Sequence, residues 1–139
     1  MELNPTSPIA MHGNLYPVTE FGIKRMIERM IDLGEKELAY EDCEVRIDQD
    51  ASCNDHPCIR IEVCHPVRRE YFQYHLARIC IDKQLQLPIR FESYDWPEDD
   101  SGQPVLKEEY TYHDLQLNVT LTDADFDRDN PEYRFAKRD

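Results

Sequence analysis

The hydrophobic period of this chain changes once, near Tyr40, and that switch limits the fold more than any other feature. Before it, Ile23, Met26, Ile27, Met30 and Ile31 recur at the spacing of one helix face. Lys24, Arg25, Glu28, Arg29 and Asp32 occupy the other side. Thr19 is placed to cap such a helix, and Glu20 puts negative charge on its first turn. Gly34 follows Leu33 where a C-terminal glycine would end it. These signals predict a helix from about Glu20 to Leu33, with a resumption through Glu35 to Tyr40 left open.

After Tyr40 the period is two. Cys43, Val45 and Ile47 alternate with Glu44, Arg46 and Asp48, and Ile59, Ile61 and Val63 with Arg60, Glu62 and Cys64. Ala77, Ile79 and Ile81 alternate with Arg78, Cys80 and Asp82, and Ile89 and Phe91 with Arg90 and Glu92. A last run spans Tyr110 to Val119. Strands with one dry and one wet face make an antiparallel sheet. Turn chemistry separates them at Ser52–Asp55, Pro66–Glu70, Asp82–Lys83 and Asp99–Gly102. In the last run Tyr110 and Tyr112 have one parity and Leu115, Leu117 and Val119 the other, so a bulge near His113–Asp114 is expected. Pro5, Pro8, Gly13 and Pro17 make the start an extended lead-in, with an edge strand near Ile9–Met11. The acidic stretch from Thr120 to Asp139 is expected to wrap the surface.

The expected fold is therefore α+β: a curved antiparallel sheet packed on one main amphipathic helix, in a single domain over residues 1–139. One helix covers only part of such a sheet. Either another segment covers the rest, or the sheet curves around the helix and leaves a cavity. The 29 acidic against 16 basic residues give a formal net charge of -13, which repels nucleic-acid phosphates and anionic headgroups. No apolar run approaches the roughly 20 residues that span a bilayer. Met1–Ala10 lacks a basic region and an apolar core, so no signal peptide is expected there.

Several longer runs are distinctive. They are His65–Arg78, Leu87–Pro97, Glu108–Tyr112, Leu115–Val119, Leu121–Phe126 and Tyr16–Ile23. With them the chain, from about Leu15 to Phe135, resembles an uncharacterised bacterial domain family of unknown function. That family in turn looks like the LolA-like superfamily of outer-membrane lipoprotein carriers. The resemblance implies an incomplete antiparallel barrel curled around helices, with an interior that takes acyl chains. Carriers of that type have an upstream half with a secretion signal and the first strands, so this chain looks like the C-terminal half. Periplasm or cell envelope is the implied location if an upstream signal exists. No catalytic residue and no cofactor transfers from the resemblance.

On this reading the candidate ligand wall is the helix stripe Ile23, Met26, Ile27 and Met30. A candidate rim is formed by Phe72, Tyr74, Tyr94, Trp96, Tyr110 and Tyr112. Cross-strand aromatic pairing is the other reading of that set. Of the five cysteines, Cys43 with Cys64 and Cys53 with Cys58 are placed for two disulfides in an oxidising compartment, leaving Cys80 free. The alternative is five reduced thiols. Cys53, His56 and Cys58 lack zinc spacing and a fourth ligand. Asp123, Asp125, Asp127 and Asp129 suggest a calcium loop, but Arg128 and Arg134 stand where Gly and Glu are needed. No metal site is expected. His65, His75 and His113 with Asp82 or Asp114 could form an acid–base group, yet no nucleophile elbow or glycine-rich turn accompanies them.

The leading expectation is a non-enzymatic binding domain for an apolar ligand, lipid or lipoprotein acyl chain. The alternative is an interaction module completed by another chain, by the missing N-terminal half or by a second copy. An enzyme using the His and Asp cluster is the remote alternative.

Overall fold

The computed structural model describes residues 4–37, 39–40, 42–98 and 102–133. Asp99, Asp100 and Ser101 of the expected turn, Leu38 of the expected helix resumption, and Arg134 with the rest of the tail lie outside the described residues.

The lead-in holds a short helix where an edge strand was expected. Helix α1, Pro8–Met11, is capped by Ser7, whose Oγ accepts the Ala10 N–H at 3.3 Å. Pro8 suits the first turn, where its missing N–H has no helical partner. A 3-10 turn follows at Val18–Glu20. The main helix, α2, spans Ile23–Glu37, so it starts later and ends later than capping logic predicts. Gly22, at φ +107°, explains the late start, because it breaks the chain between the two turns in a conformation other residues avoid. Gly34 does not end α2, because it lacks the positive φ of a helix-stopping glycine. The helix runs on to a buried Glu37.

Five strands follow in sequence order: β1 Glu44–Cys53, β2 His56–Cys64, β3 Leu76–Asp82, β4 Pro88–Asp95 and β5 Val105–Thr111. Each pairs antiparallel with its neighbour, in the order β1-β2-β3-β4-β5, and the sheet is open. The architecture is α+β, as the change of period requires. Asn54 and Asp55 join β1 to β2 with φ of 51° and 65°, the two left-handed residues of a type I′ hairpin. The last strand is a correction. β5 ends at Thr111, and the parity change that suggested a bulge marks the end of the strand instead. Asp114 and Asn118 take positive φ there, and Leu117 and Val119 lie exposed.

Register sorts the sheet into two unlike faces. Ile61 lies beside Ile79, Ile79 beside Phe91, and Phe91 beside Tyr110, which builds a dry row across four strands. On the opposite face Glu62 pairs with Arg78, and Arg78 with Glu92. Their ions form a ladder: Arg78 meets Glu62 at 2.8 Å and Glu92 at 3.9 Å, and Arg90 meets both Glu92 and Glu109, while Arg60 pairs separately with Asp48 at 3.1 Å. That face satisfies itself and needs no covering layer. The dry face is covered by α2 only in part, since Val45 and Ile47 of β1 are 57% and 58% exposed.

Asp82, 2% exposed, closes the β3–β4 connection. Its Oδ1 accepts the N–H groups of Gln84 and Leu85 at 2.7 and 2.8 Å, and Oδ2 meets His56 Nδ1 at 3.0 Å. The Leu85 N–H holds the carboxyl below its ordinary pKa, against the opposing pull of burial, with Gln84 and His56 adding to it. The folded state therefore favours the carboxylate. Its stabilisation is complete above the ordinary Asp value near 4 and is lost as pH falls through the lower folded value. Asp82→Ala is expected to cost about 1–3 kcal/mol near neutrality. Urea unfolding at pH 7 and pH 3 should show the gap from wild type shrinking at the acid end.

Candidate functional site

Between α2 and the dry face lies a cavity of about 280 Å³. Its roof is Met26, Met30 and Leu33 of α2; its floor is Val63, Ala77, Ile79 and Phe91 of β2, β3 and β4. The amphipathic stripe of α2 and the alternation of the strands both converge on it. Met26 and Ala77, one from each wall, are both 3% exposed.

Charged and polar side chains line it too, Asp32, Lys36, Gln73 and Lys107 among them, and two hydrogen-bonded groups flank it. At one, Glu108 Oε1 accepts hydrogen bonds from Ser93 Oγ at 3.1 Å and from the Tyr16 hydroxyl at 3.3 Å. Arg29 lies over the Tyr16 ring, 3.8 Å from its centroid. Burial, then the Glu108 charge, pushes the Tyr16 phenol above its ordinary pKa, so it remains a donor. Phe21 packs edge-on against Tyr110 at 6.3 Å and fixes the start of α2 over β5. At the other end Glu37, 5% exposed, accepts from the Tyr74 hydroxyl at 2.7 Å. Its Oε2 lies 3.5 Å from Nε2 of His65, which is fully buried. Burial, followed by the Glu37 hydrogen bond and charge, raises the Tyr74 pKa strongly, which keeps that phenol protonated.

The stripe and rim residues do not gather in one place. Met26, Met30 and Tyr74 line the cleft. Tyr110 and Tyr112 join Met26 and Phe21 in a small crevice beside it. Ile23 and Ile27 are half-buried on α2 outside the cleft lining. Tyr94 belongs to the charged face, with its hydroxyl on Glu92 and the Arg78 guanidinium 5.5 Å from its ring centroid. Phe72 stacks on the His65 ring at 3.7 Å, and Trp96 Nε1 donates to the His65 carbonyl.

The cysteines are free thiols. Glu44 pairs with Cys64, so Cys64 shares the charged face while Cys43, one residue earlier, sits with Glu37 and His65. Cys53, Cys58 and Cys80 pack together with Ile89. Burial and the neighbouring Cys53 push the Cys80 thiol up to about 12. His56 turns to Asp82, away from any grouping with Cys53 and Cys58. His113 and Asp114 share a separate recess with His56 and Asp82, whereas His65 and His75 lie elsewhere. Asp125 accepts the Thr122 N–H and hydroxyl at 2.6 and 2.9 Å, and Asp127 accepts the Asp129 N–H, so these acids cap local turns.

A family model described as "Protein of unknown function (DUF1571)" matches residues 1–135. The chain belongs to the DUF1571 family. No curated protein and no solved structure matches it significantly. In this DUF1571 chain the cleft also uses residues that sequence reasoning did not single out as a site: Tyr16, Leu33, Glu37 and Glu108. Strand alternation marked Val63, Ala77, Ile79 and Phe91 as dry but not as cavity floor. No local pattern distinguishes Glu37 from the exposed acids of α2, because its burial depends on Tyr74 and His65 far along the chain.

Tyr74→Phe leaves the buried Glu37 carboxylate without its hydroxyl donor and is expected to cost about 1–3 kcal/mol. Tyr94→Phe, on the charged face, should stay within about 1 kcal/mol. Denaturant titration of both variants tests this ordering.

Proposed function

We propose that this DUF1571 domain binds an apolar chain, such as a lipid or lipoprotein acyl group, in the cleft between α2 and the sheet, without catalysing a reaction. The observation that carries this reading is the cleft itself: methionines of α2 face apolar residues of the sheet across it, with charged and polar groups around them. A volume of about 280 Å³ lies at the lower edge of small-molecule sites. Methionines suit an adaptable apolar wall because their side chains are flexible and polarizable. The sequence resemblance to LolA-like carriers supports the same reading, since it implies an incomplete barrel curled around helices whose interior takes acyl chains. A carrier of this kind belongs in the periplasm or cell envelope if an upstream signal exists. Among the described residues no helix is long and apolar enough to cross a membrane.

The test is uptake of a fluorescent acyl probe, cis-parinaric acid, together with native mass spectrometry of gently purified protein. Wild type should bind, and Ala77→Phe, which fills the floor of the cleft, should weaken binding about tenfold or more. Arg60→Gln on the charged face should bind like wild type. Absent uptake, or equal uptake by Ala77→Phe, would overturn the proposal.

A second reading is favoured by the uncovered part of the dry face. Val45 and Ile47 of the edge strand β1 are exposed, and so is Ile31 of α2 at 55%. They suit a module completed by another chain or a second copy. Sedimentation should then show a concentration-dependent dimer that Ile47→Lys abolishes.

A further inference from the structure

Three unlike donors converge behind Tyr74: a histidine nitrogen, a carboxylate and a thiol. Glu37, Cys43 and His65 each offer one atom, and the three atoms lie within 4.8 Å of one another. Two of these groups are buried and incompletely satisfied. His65 Nε2 and Glu37 Oε1 have no hydrogen-bond partner, in residues 0% and 5% exposed. Buried polar atoms of folded proteins are nearly always paired, so two orphans on neighbouring side chains require an explanation.

The orientation of His65 supplies one. Its Nδ1 lies 2.9 Å from the Tyr74 carbonyl, which can only accept, so Nδ1 carries the proton. In the neutral ring Nε2 then presents a lone pair toward Glu37 and Cys43. A backbone carbonyl on one ring nitrogen is how metal-binding histidines are commonly aimed. Phe72, stacked at 3.7 Å and 15°, prevents the ring from turning away. Tyr74 supplies the matching support for the carboxylate, donating to Oε2 and leaving Oε1 open.

We propose that His65 Nε2, a Glu37 carboxylate oxygen and Cys43 Sγ form a binding site for a zinc-like divalent cation. The donor set is the nitrogen, oxygen and sulfur mixture that zinc accepts. Bonds of about 2.0–2.3 Å in a tetrahedral site set ligand atoms roughly 3.3–3.8 Å apart. The 3.5 Å from His65 Nε2 to Glu37 Oε2 already meets that spacing, and the open Oε1 belongs to the same carboxylate. Cys43 precedes β1 and is half-buried, so its side chain is free to close the remaining ångström or so. Coordination replaces the thiol S–H bond with a sulfur–metal bond and releases the proton to water. Three protein ligands leave a fourth position. Glu37 and Tyr74 also line the cleft, which gives the ion a route in. The inference stands whether or not the cleft holds an acyl chain.

The experiment titrates Co2+ into the reduced, chelator-stripped full chain and follows the near-ultraviolet band of thiolate-to-cobalt charge transfer. The band should saturate at a single equivalent and bleach on adding Zn2+. Cys43→Ser should lose it and bind Zn2+ at least about tenfold more weakly. Cys64→Ser and Cys80→Ser should retain it. No band, a band that survives Cys43→Ser, or one that follows Cys80 and its cysteine cluster would overturn the proposal. Circular dichroism checks that each variant folds. If Cys43→Ser does not fold, histidine 15N spectra of the wild type decide: Zn2+ must move the Nε2 resonance of His65 and leave that of His75 in place.

Discussion

The buried Glu37 carboxylate is the contact on which the arrangement of the two layers depends. It ends α2 and reaches a phenol on the β2–β3 connection and a histidine at the end of β2. A carboxylate in a dry site is costly unless it is met by donors, so it fixes the helix end wherever the Tyr74 hydroxyl stands. The other end is held by Phe21 on Tyr110 and by the Tyr16 hydrogen bond to Glu108. With both ends tied, the apolar stripe between them is suspended over the strands instead of pressed into them. The cavity follows from this: the helix is held at its ends, and the small Ala77 side chain lies below its middle.

The two faces of the sheet solve the burial problem in opposite ways. The charged face carries its own solution, because each Arg faces a Glu or Asp across the strands and the long side chains shield the backbone between them. Exposed pairs of this kind add little stability individually, but they make the face wet and self-sufficient. The apolar face has no such remedy. One helix over five strands cannot cover it, which leaves both a cleft beneath α2 and bare Val45 and Ile47 at the edge.

Much of this was legible in the chain, and the failures are instructive. Alternation in Ile59–Val63 and Ala77–Ile81 gave the strands and their dry sides, because a pleated backbone sends successive side chains to opposite faces. Asn54-Asp55 marked the first hairpin through its tolerance of positive φ. Gly34 misled, since a glycine stops a helix only when the chain turns left-handed, and Glu37 rewards its continuation. The parity change after Tyr112 was visible, but a bulge and a strand end look alike in sequence. What separates them is that pairing with β4 ends at Arg90 and Thr111, close to the start of β4 at Pro88. The aromatic set failed as a single rim for the same reason. Tyr94 and Tyr74 lie on different structural surfaces, and which surface a ring joins depends on register and loop path.

The sequence by itself determined the class of fold, the order of helix and strands and the two-sidedness of the sheet, because hydrophobic period and turn chemistry act over a few residues. The tertiary structure decided where α2 ends, that a cleft opens beneath it, and that His65, Glu37 and Cys43 meet. Those outcomes turn on contacts between residues distant in the chain. Their strength comes from excluding water around polar groups, and no local pattern records which groups will be enclosed together.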